Sequence, residues 1–95
     1  MTVGSCKVEL RIPESGSLKD KRRIVKSLKD RLQGRFNIGI AEVDRLDEWQ
    51  RATLGIAAVS KDARFVDEIL SKVVNWIEAN GEVLVVDYEI DLVTH

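Results

Sequence analysis

Five cations fall on one side of a single predicted helix. With residues 18–33 helical and Leu18 set at zero, steps of 100° put Lys29 at about 20°, Arg22 at about 40°, Lys26 at about 80°, Lys19 at about 100° and Arg23 at about 140°. Only Asp30, at about 120°, interrupts this arc, and the stripe from Lys19 to Lys29 is about 15 Å long. Ammonium and guanidinium groups in such a row suit a phosphate backbone, whose condensed counterions they displace. Two features speak against a merely solvated face. Lys19, Lys21, Arg22 and Arg23 crowd the helix N-terminus, where the macrodipole disfavours cations by about 0.3–1 kcal/mol each. The same face also holds too few acids to pair its cations at i,i+4 spacing. Arg35 and Arg51 are expected as outer contacts. About three neutralised phosphates imply modest, mainly non-specific binding with a log–log salt slope of about −2 to −3.

Other chemistries find less support. Histidine occurs only at His95, the last residue, where a general base has no fixed partner. Cys6 alternates with apolar neighbours and is expected as a small buried hydrophobe; a single cysteine also excludes an internal disulfide and a cysteine-based metal site. The glycines at 4, 16, 34, 39, 55 and 81 form neither GxxxxGK nor GxGxxG, so no phosphate-cradling loop and no cofactor are expected. Glu42, Asp44, Asp47 and Glu48 are dense enough to bind Mg²⁺ or Ca²⁺, but a solvated loop with Arg45 or Arg51 as counter-ion is expected instead, and no metal. An acylphosphatase would need a basic, Gly-rich cradle after its first strand; here that loop is Pro13-Glu14-Ser15-Gly16-Ser17, with an acid inside it. Trp49, between Arg45 and Arg51, either stacks on a base or packs over the end of the sheet, and Trp76 is expected in the core.

The elements that position these residues follow from periodicity and punctuation. Cys6, Val8, Leu10 and Ile12 alternate with polar residues, giving a strand over about 3–12 that Pro13 ends. Ser17-Leu18-Lys19-Asp20 forms a capping box opening the helix over about 18–33, with Leu18, Ile24, Val25, Leu28 and Leu32 on its apolar arc and Gly34 at a left-handed C′ position. Strands over about 36–43 and 51–59 make a hairpin with a polar loop. The earlier strand is ambiguous, since Ile38 and Ile40 share one parity and Ala41 and Val43 the other; a bulge near Ile40 would reconcile them. A second helix over about 63–79 is capped by Asp62 or Ser60 and carries Phe65, Val66, Ile69, Leu70, Val73, Val74, Trp76 and Ile77 over about half its circumference. After a break at Asn80–Gly81, a strand over about 83–91 sets Leu84, Val86, Tyr88 and Ile90 on one face and Val85, Asp87, Glu89 and Asp91 on the other. The order βαββαβ implies a single ferredoxin-like α+β domain over residues 1–95. Its four-stranded antiparallel sheet has order 4-1-3-2, with two helices on one face. Lys7 and Arg11 would then face Asp87, Glu89 and Asp91 across the open side.

The chain has 95 residues, 44% hydrophobic and 33% charged, as expected for a soluble globular chain. Its net charge of −1 hides a division: residues 1–35 hold ten Lys/Arg and four Asp/Glu, residues 36–95 five and twelve, giving +6 against −7. No apolar run approaches a membrane span, and Met1–Lys7 lacks the basic-then-apolar pattern of a secretory signal, so a cytoplasmic location is expected. Thr53, Gly55 and Ala57 leave the middle of the open sheet face low and flat, which suits a second copy of the chain or a docking protein. With no aromatic on that face, base stacking of the RNA-recognition type is not expected.

Four segments together resemble the YlxP-like family of small bacterial proteins of uncharacterised function: Ser17-Leu18-Lys19-Asp20-Lys21-Arg22-Arg23, Arg35-Phe36-Asn37, Ala41-Glu42-Val43-Asp44, and Asp47-Glu48-Trp49-Gln50-Arg51-Ala52-Thr53-Leu54-Gly55. The resemblance implies a ferredoxin-like fold, a cytoplasmic bacterial protein, and genes lying near those of translation-initiation and ribosome-maturation factors, hence RNA or the ribosome as partner. The family supplies no catalytic residues to carry over. The expected function is a non-catalytic RNA- or ribosome-associated factor binding through Lys19, Arg22, Arg23, Lys26 and Lys29, with Arg35 and Arg51 outside them. The alternative is a homo-oligomeric or protein-docking module using the open sheet face.

Overall fold

Period-two alternation buries one side of the first strand: Cys6, Val8, Leu10 and the following Ile12 are each at most 1% exposed. That strand, β1 (Thr2–Arg11), is central in the computed structural model, which describes residues 1–79 and 81–95; Asn80, half of the expected Asn80–Gly81 break, lies outside them. The remaining elements are α1 (Leu18–Arg35), β2 (Gly39–Asp44), β3 (Arg51–Ser60), α2 (Ala63–Ala79) and β4 (Leu84–Thr94). All strand pairs are antiparallel and the sheet order is β2-β3-β1-β4, the expected 4-1-3-2 read from the other edge. The fold is ferredoxin-like α+β.

Both helices cover the same face. Ile24, Val25, Leu28 and Leu32 of α1 and Val66, Leu70, Val73, Val74 and Ile77 of α2 join Cys6, Val8, Leu10, Ala52, Leu54, Ile56 and Ala58 in one buried cluster. Each large aliphatic side chain so buried contributes about 1.5–3 kcal/mol. Gly4 lets α2 approach closely, because a Cβ there would collide with Val66, with Leu70 at 2.8 Å and with Leu92 at 2.9 Å.

Ser17 caps α1 as expected: its Oγ accepts from the Asp20 N–H at 3.0 Å. Asp20 reaches back one residue further than a standard capping box, accepting from the Gly16 N–H at 3.1 Å. At the other end the expectation fails. Gly34 is not a left-handed cap; the helix runs on to Arg35, and Phe36 ends it in extended backbone, its N–H donating to the Leu32 carbonyl at 2.8 Å. Asp62 caps α2, its Oδ1 accepting from the Arg64 N–H at 2.9 Å and its carbonyl from the Val66 N–H at 3.2 Å.

Two bulges correct the strand faces. The irregularity in β2 lies between Glu42 and Asp44, not near Ile40. Up to that point Ile38, Ile40 and Glu42 keep the helix-side parity, while Ala41 lies on the open side, and the extra residue Val43 folds over Gly55. A second shift pairs Glu9 with Asp87 but Leu10 with Val85, making Val86 the inserted residue. Val85, Tyr88 and Ile90 therefore share the helix side, although Tyr88, like Leu84 and Val86, is exposed. Lys7 does lie opposite Glu89, but Arg11 lies opposite Leu84 and has no acid across from it. Trp76 is half-buried at the core's rim and Phe65 is exposed, so α2 is seated less deeply than its apolar count suggests.

The Cys6 thiol is pushed up to about 11 by burial, against a smaller opposing effect of a hydrogen bond with the Glu89 backbone. At pH 8 a thiol reagent should label native protein very slowly and guanidinium-unfolded protein fully. Rapid stoichiometric labelling of the native form would contradict this burial.

Candidate nucleic-acid interface

Of the four cations expected to crowd the N-terminus of α1, Lys21 is the one that does not reach the surface. It stands at about 300° on the wheel, midway between Ile24 at about 240° and Val25 at about 340°, inside the apolar arc. Its side chain is fully buried. The ammonium donates to the carbonyls of Arg45 at 2.8 Å, Arg51 at 3.2 Å and Leu46 at 3.3 Å, and lies 2.8 Å from Glu42 Oε2. Three protons thus face four acceptors. The carbonyls take the directed hydrogen bonds and the buried Oε2 has none, interacting with Nζ as an ion pair. Lys21 is a structural tie from α1 to the loop between β2 and β3, not one of the cations crowding the helix surface.

That loop is held from the other side by Arg45, the one non-glycine residue with positive φ among those described, at 59°. Its N–H bonds Asp44 Oδ1 at 2.8 Å, its Nε donates to Glu9 Oε2 at 3.1 Å across the open face, and its Nη1 donates to Glu48 Oε2 at 3.1 Å. Thr53 also donates to Glu9 Oε2, at 2.8 Å, and is fully buried beneath this arrangement. Gln50 ties the loop to the segment after β1 by donating to the Ser15 carbonyl at 3.0 Å. The acidic cluster is thereby dispersed: Glu42 faces the core, Glu48 and Asp44 serve Arg45, and no group of three or more His, Cys, Asp or Glu that could hold a metal ion occurs among the described residues.

The outer side of α1 carries the expected stripe. Lys19, Arg22, Arg23 and Lys26 are exposed and Lys29 is half-buried. Lys26 pairs with Asp30 at 2.9 Å, and that hydrogen bond and charge raise its pKa. Lys19, Arg22, Arg23 and Lys29 have no ion pair among the described residues. Arg35 is not on the stripe: its guanidinium lies 5.5 Å from the Trp76 ring centroid, beside that of Arg31 at 5.3 Å. Arg51 lies on the open face, opposite Arg11 in the β1–β3 register. Next to this pair Trp49 is 56% exposed. It lies at the end of the sheet but is not packed down over it.

The family model described as "Protein of unknown function (DUF503)" matches residues 3–90. The chain belongs to the DUF503 family. This DUF503 chain is also 37% identical over 81 residues to "Uncharacterized protein YlxP" of Bacillus subtilis (strain 168), covering 85% of its own length and 88% of that protein. The YlxP-like resemblance therefore holds. Two solved structures are similar in outline. One is the de novo designed protein Ferredog-Diesel, with TM-score 0.48, 11% identity, and coverage of 96% of this chain and 84% of that one. The other is a C-terminal segment of the alpha subunit of aIF2 from Pyrococcus abyssi, with TM-score 0.48, 16% identity, and coverage of 99% and 51%. No helix among the described residues of the DUF503 chain is long and apolar enough to cross a membrane.

Burial pushes the Glu9 carboxyl up, but hydrogen bonds from Thr53 and Arg45 and the charges of Arg45 and Lys7 outweigh it and hold the pKa below its ordinary 4.5. A depressed carboxylate stabilises the fold fully above its unfolded value, and that contribution is lost as pH falls through the folded one. Stability should therefore drop as pH falls below about 4.5, and Glu9→Gln should flatten that limb of a melting-temperature-against-pH curve while lowering stability at pH 7. An unchanged acid limb would remove Glu9 from the account.

Proposed function

We propose that the chain is a single-domain, non-catalytic cytoplasmic factor that binds RNA, free or within the ribosome, by contacting its phosphate backbone with the outer face of α1. Lys19, Arg22, Arg23, Lys26 and Lys29 make the contact, and Arg35 and Arg51 lie outside it. The observation that carries this reading is that the exposed cations Lys19, Arg22 and Arg23 have no ion-pair partner among the described residues, and Lys19 also stands in the first turn of α1, where the helix N-terminus disfavours a cation. A surface arranged for its own stability would pair them. The acidic remainder of the chain orients docking by repelling polyanion elsewhere.

The second reading, self-association or docking of a protein through the open sheet face, is favoured by exposed Val43 and Val59 and by the bare strand edges of β2 and β4. The flat centre expected at Gly55 is partly filled by Val43, so the apolar surface is less continuous than the sequence suggests.

Arg22→Glu/Arg23→Glu/Lys26→Glu should lower affinity for a mixed-sequence RNA duplex by at least tenfold, and wild-type binding should weaken with salt at a log–log slope of about −2 to −3. Equal binding by the two proteins, or binding indifferent to salt, would overturn the reading. A dimeric mass of the same samples by light scattering would favour the second one.

A further inference from the structure

Arg11 and Arg51 are direct partners in the antiparallel β1–β3 register, and both are exposed. Like charges placed opposite each other destabilise a sheet. Neither has an ion pair among the described residues. Beside them the exposed indole of Trp49 completes a groove of about 700 Å³, lined also by Glu48, Gln50 and Val86. That volume is within the usual range for small-ligand sites of about 300–1,000 Å³. The carboxylate in the groove, Glu48, is already paired with Arg45 at 3.1 Å. The loop that carries Trp49 is not free to collapse over the sheet, because Lys21 holds the carbonyls of Arg45, Leu46 and Arg51 and Gln50 holds the Ser15 carbonyl. An aromatic plane kept in water next to two uncompensated guanidinium groups matches one ligand chemistry: a planar base joined to a phosphate.

We infer that the groove of Trp49, Arg11 and Arg51 takes one unpaired nucleotide of an RNA strand, with its base stacked on Trp49 and its phosphate between the two arginines. The inference rests on the assignment of α1 to backbone binding and gives the strand its form: the α1 stripe contacts phosphates of any RNA, and the groove selects an unpaired segment. Base–aromatic stacking tolerates sequence, since every base offers a π-face, so selectivity for unpaired over paired RNA is expected without strong base preference.

Two probes, a mixed-sequence unpaired ten-nucleotide RNA and a blunt RNA duplex, are titrated against wild type, Trp49→Ala, Arg11→Ala/Arg51→Ala and Arg22→Glu/Arg23→Glu. Trp49 is exposed, so its removal should leave the melting temperature within a few degrees of wild type. Trp49→Ala should cost about tenfold in affinity for the unpaired RNA and less than twofold for the duplex. Arg11→Ala/Arg51→Ala should follow the same pattern, and the α1 variant should weaken both probes. Tryptophan fluorescence should fall on adding the unpaired RNA to wild type and stay level in Trp49→Phe, which retains only Trp76. Unpaired-RNA binding that Trp49→Ala leaves unchanged, with both probes still weakened by the α1 variant, would overturn the groove and keep the α1 assignment. Insensitivity of both probes to every variant would overturn both.

Discussion

An ammonium group taken out of water must recover its hydration from fixed acceptors, and Lys21 recovers it from one carboxylate and three main-chain carbonyls. The acceptors come from β2, from the loop after it and from the first residue of β3, so a single side chain on α1 closes a hairpin that lies up to 30 residues further along the chain. Removing the charge would leave the buried Oε2 of Glu42 uncompensated and take a donor from three carbonyls, of which that of Arg45 keeps the Glu48 N–H at 3.0 Å. Deleting one partner of a buried pair costs about 3–5 kcal/mol, a large share of the roughly 5–15 kcal/mol that holds a domain together.

The geometry of both candidate surfaces follows from that tie. With Lys21 turned inward, α1 presents its outer side as an almost uninterrupted cationic face, opposed locally only by Asp30. With the loop carbonyls held, Arg45 adopts its left-handed backbone and spans the open face to Glu9, which leaves Trp49 and Arg51 standing at the end of the sheet. The stripe and the groove are two consequences of where one lysine points.

Much of this architecture is legible in the residues. The alternation of Cys6, Val8, Leu10 and Ile12, the Ser17 cap and the apolar arc of α1 are local signals, and each matches the observed element. Lys21 was legible too: a lone cation midway along an apolar arc faces the core, and Glu42 shares the parity of Ile38 and Ile40. Lys21 lies outside the cationic arc of the helix, and a grouping of cations by nearness to the helix N-terminus hides its inward direction. A bulge in β2 was legible from the parity change between Ile40 and Ala41, but its place at Val43 was not, and the bulge at Val86 was not legible at all, because an inserted residue is placed by its cross-strand partners. The continuation of α1 through Gly34 has a similar origin. The chain keeps helical geometry until Phe36 turns toward the core, and Arg31 and Arg35 in the last turns lie over the Trp76 ring on α2.

The most direct test of the tie is a double-mutant cycle in denaturant-unfolding free energy with Lys21→Met, Glu42→Gln and the pair together. The account predicts that Lys21→Met alone costs about 3–5 kcal/mol, and that the double variant loses at least about 1 kcal/mol less than the sum of the singles, because neutralising Glu42 relieves the charge stranded by the first change. A loss below about 0.5 kcal/mol for Lys21→Met, or strict additivity of the two changes, would contradict it.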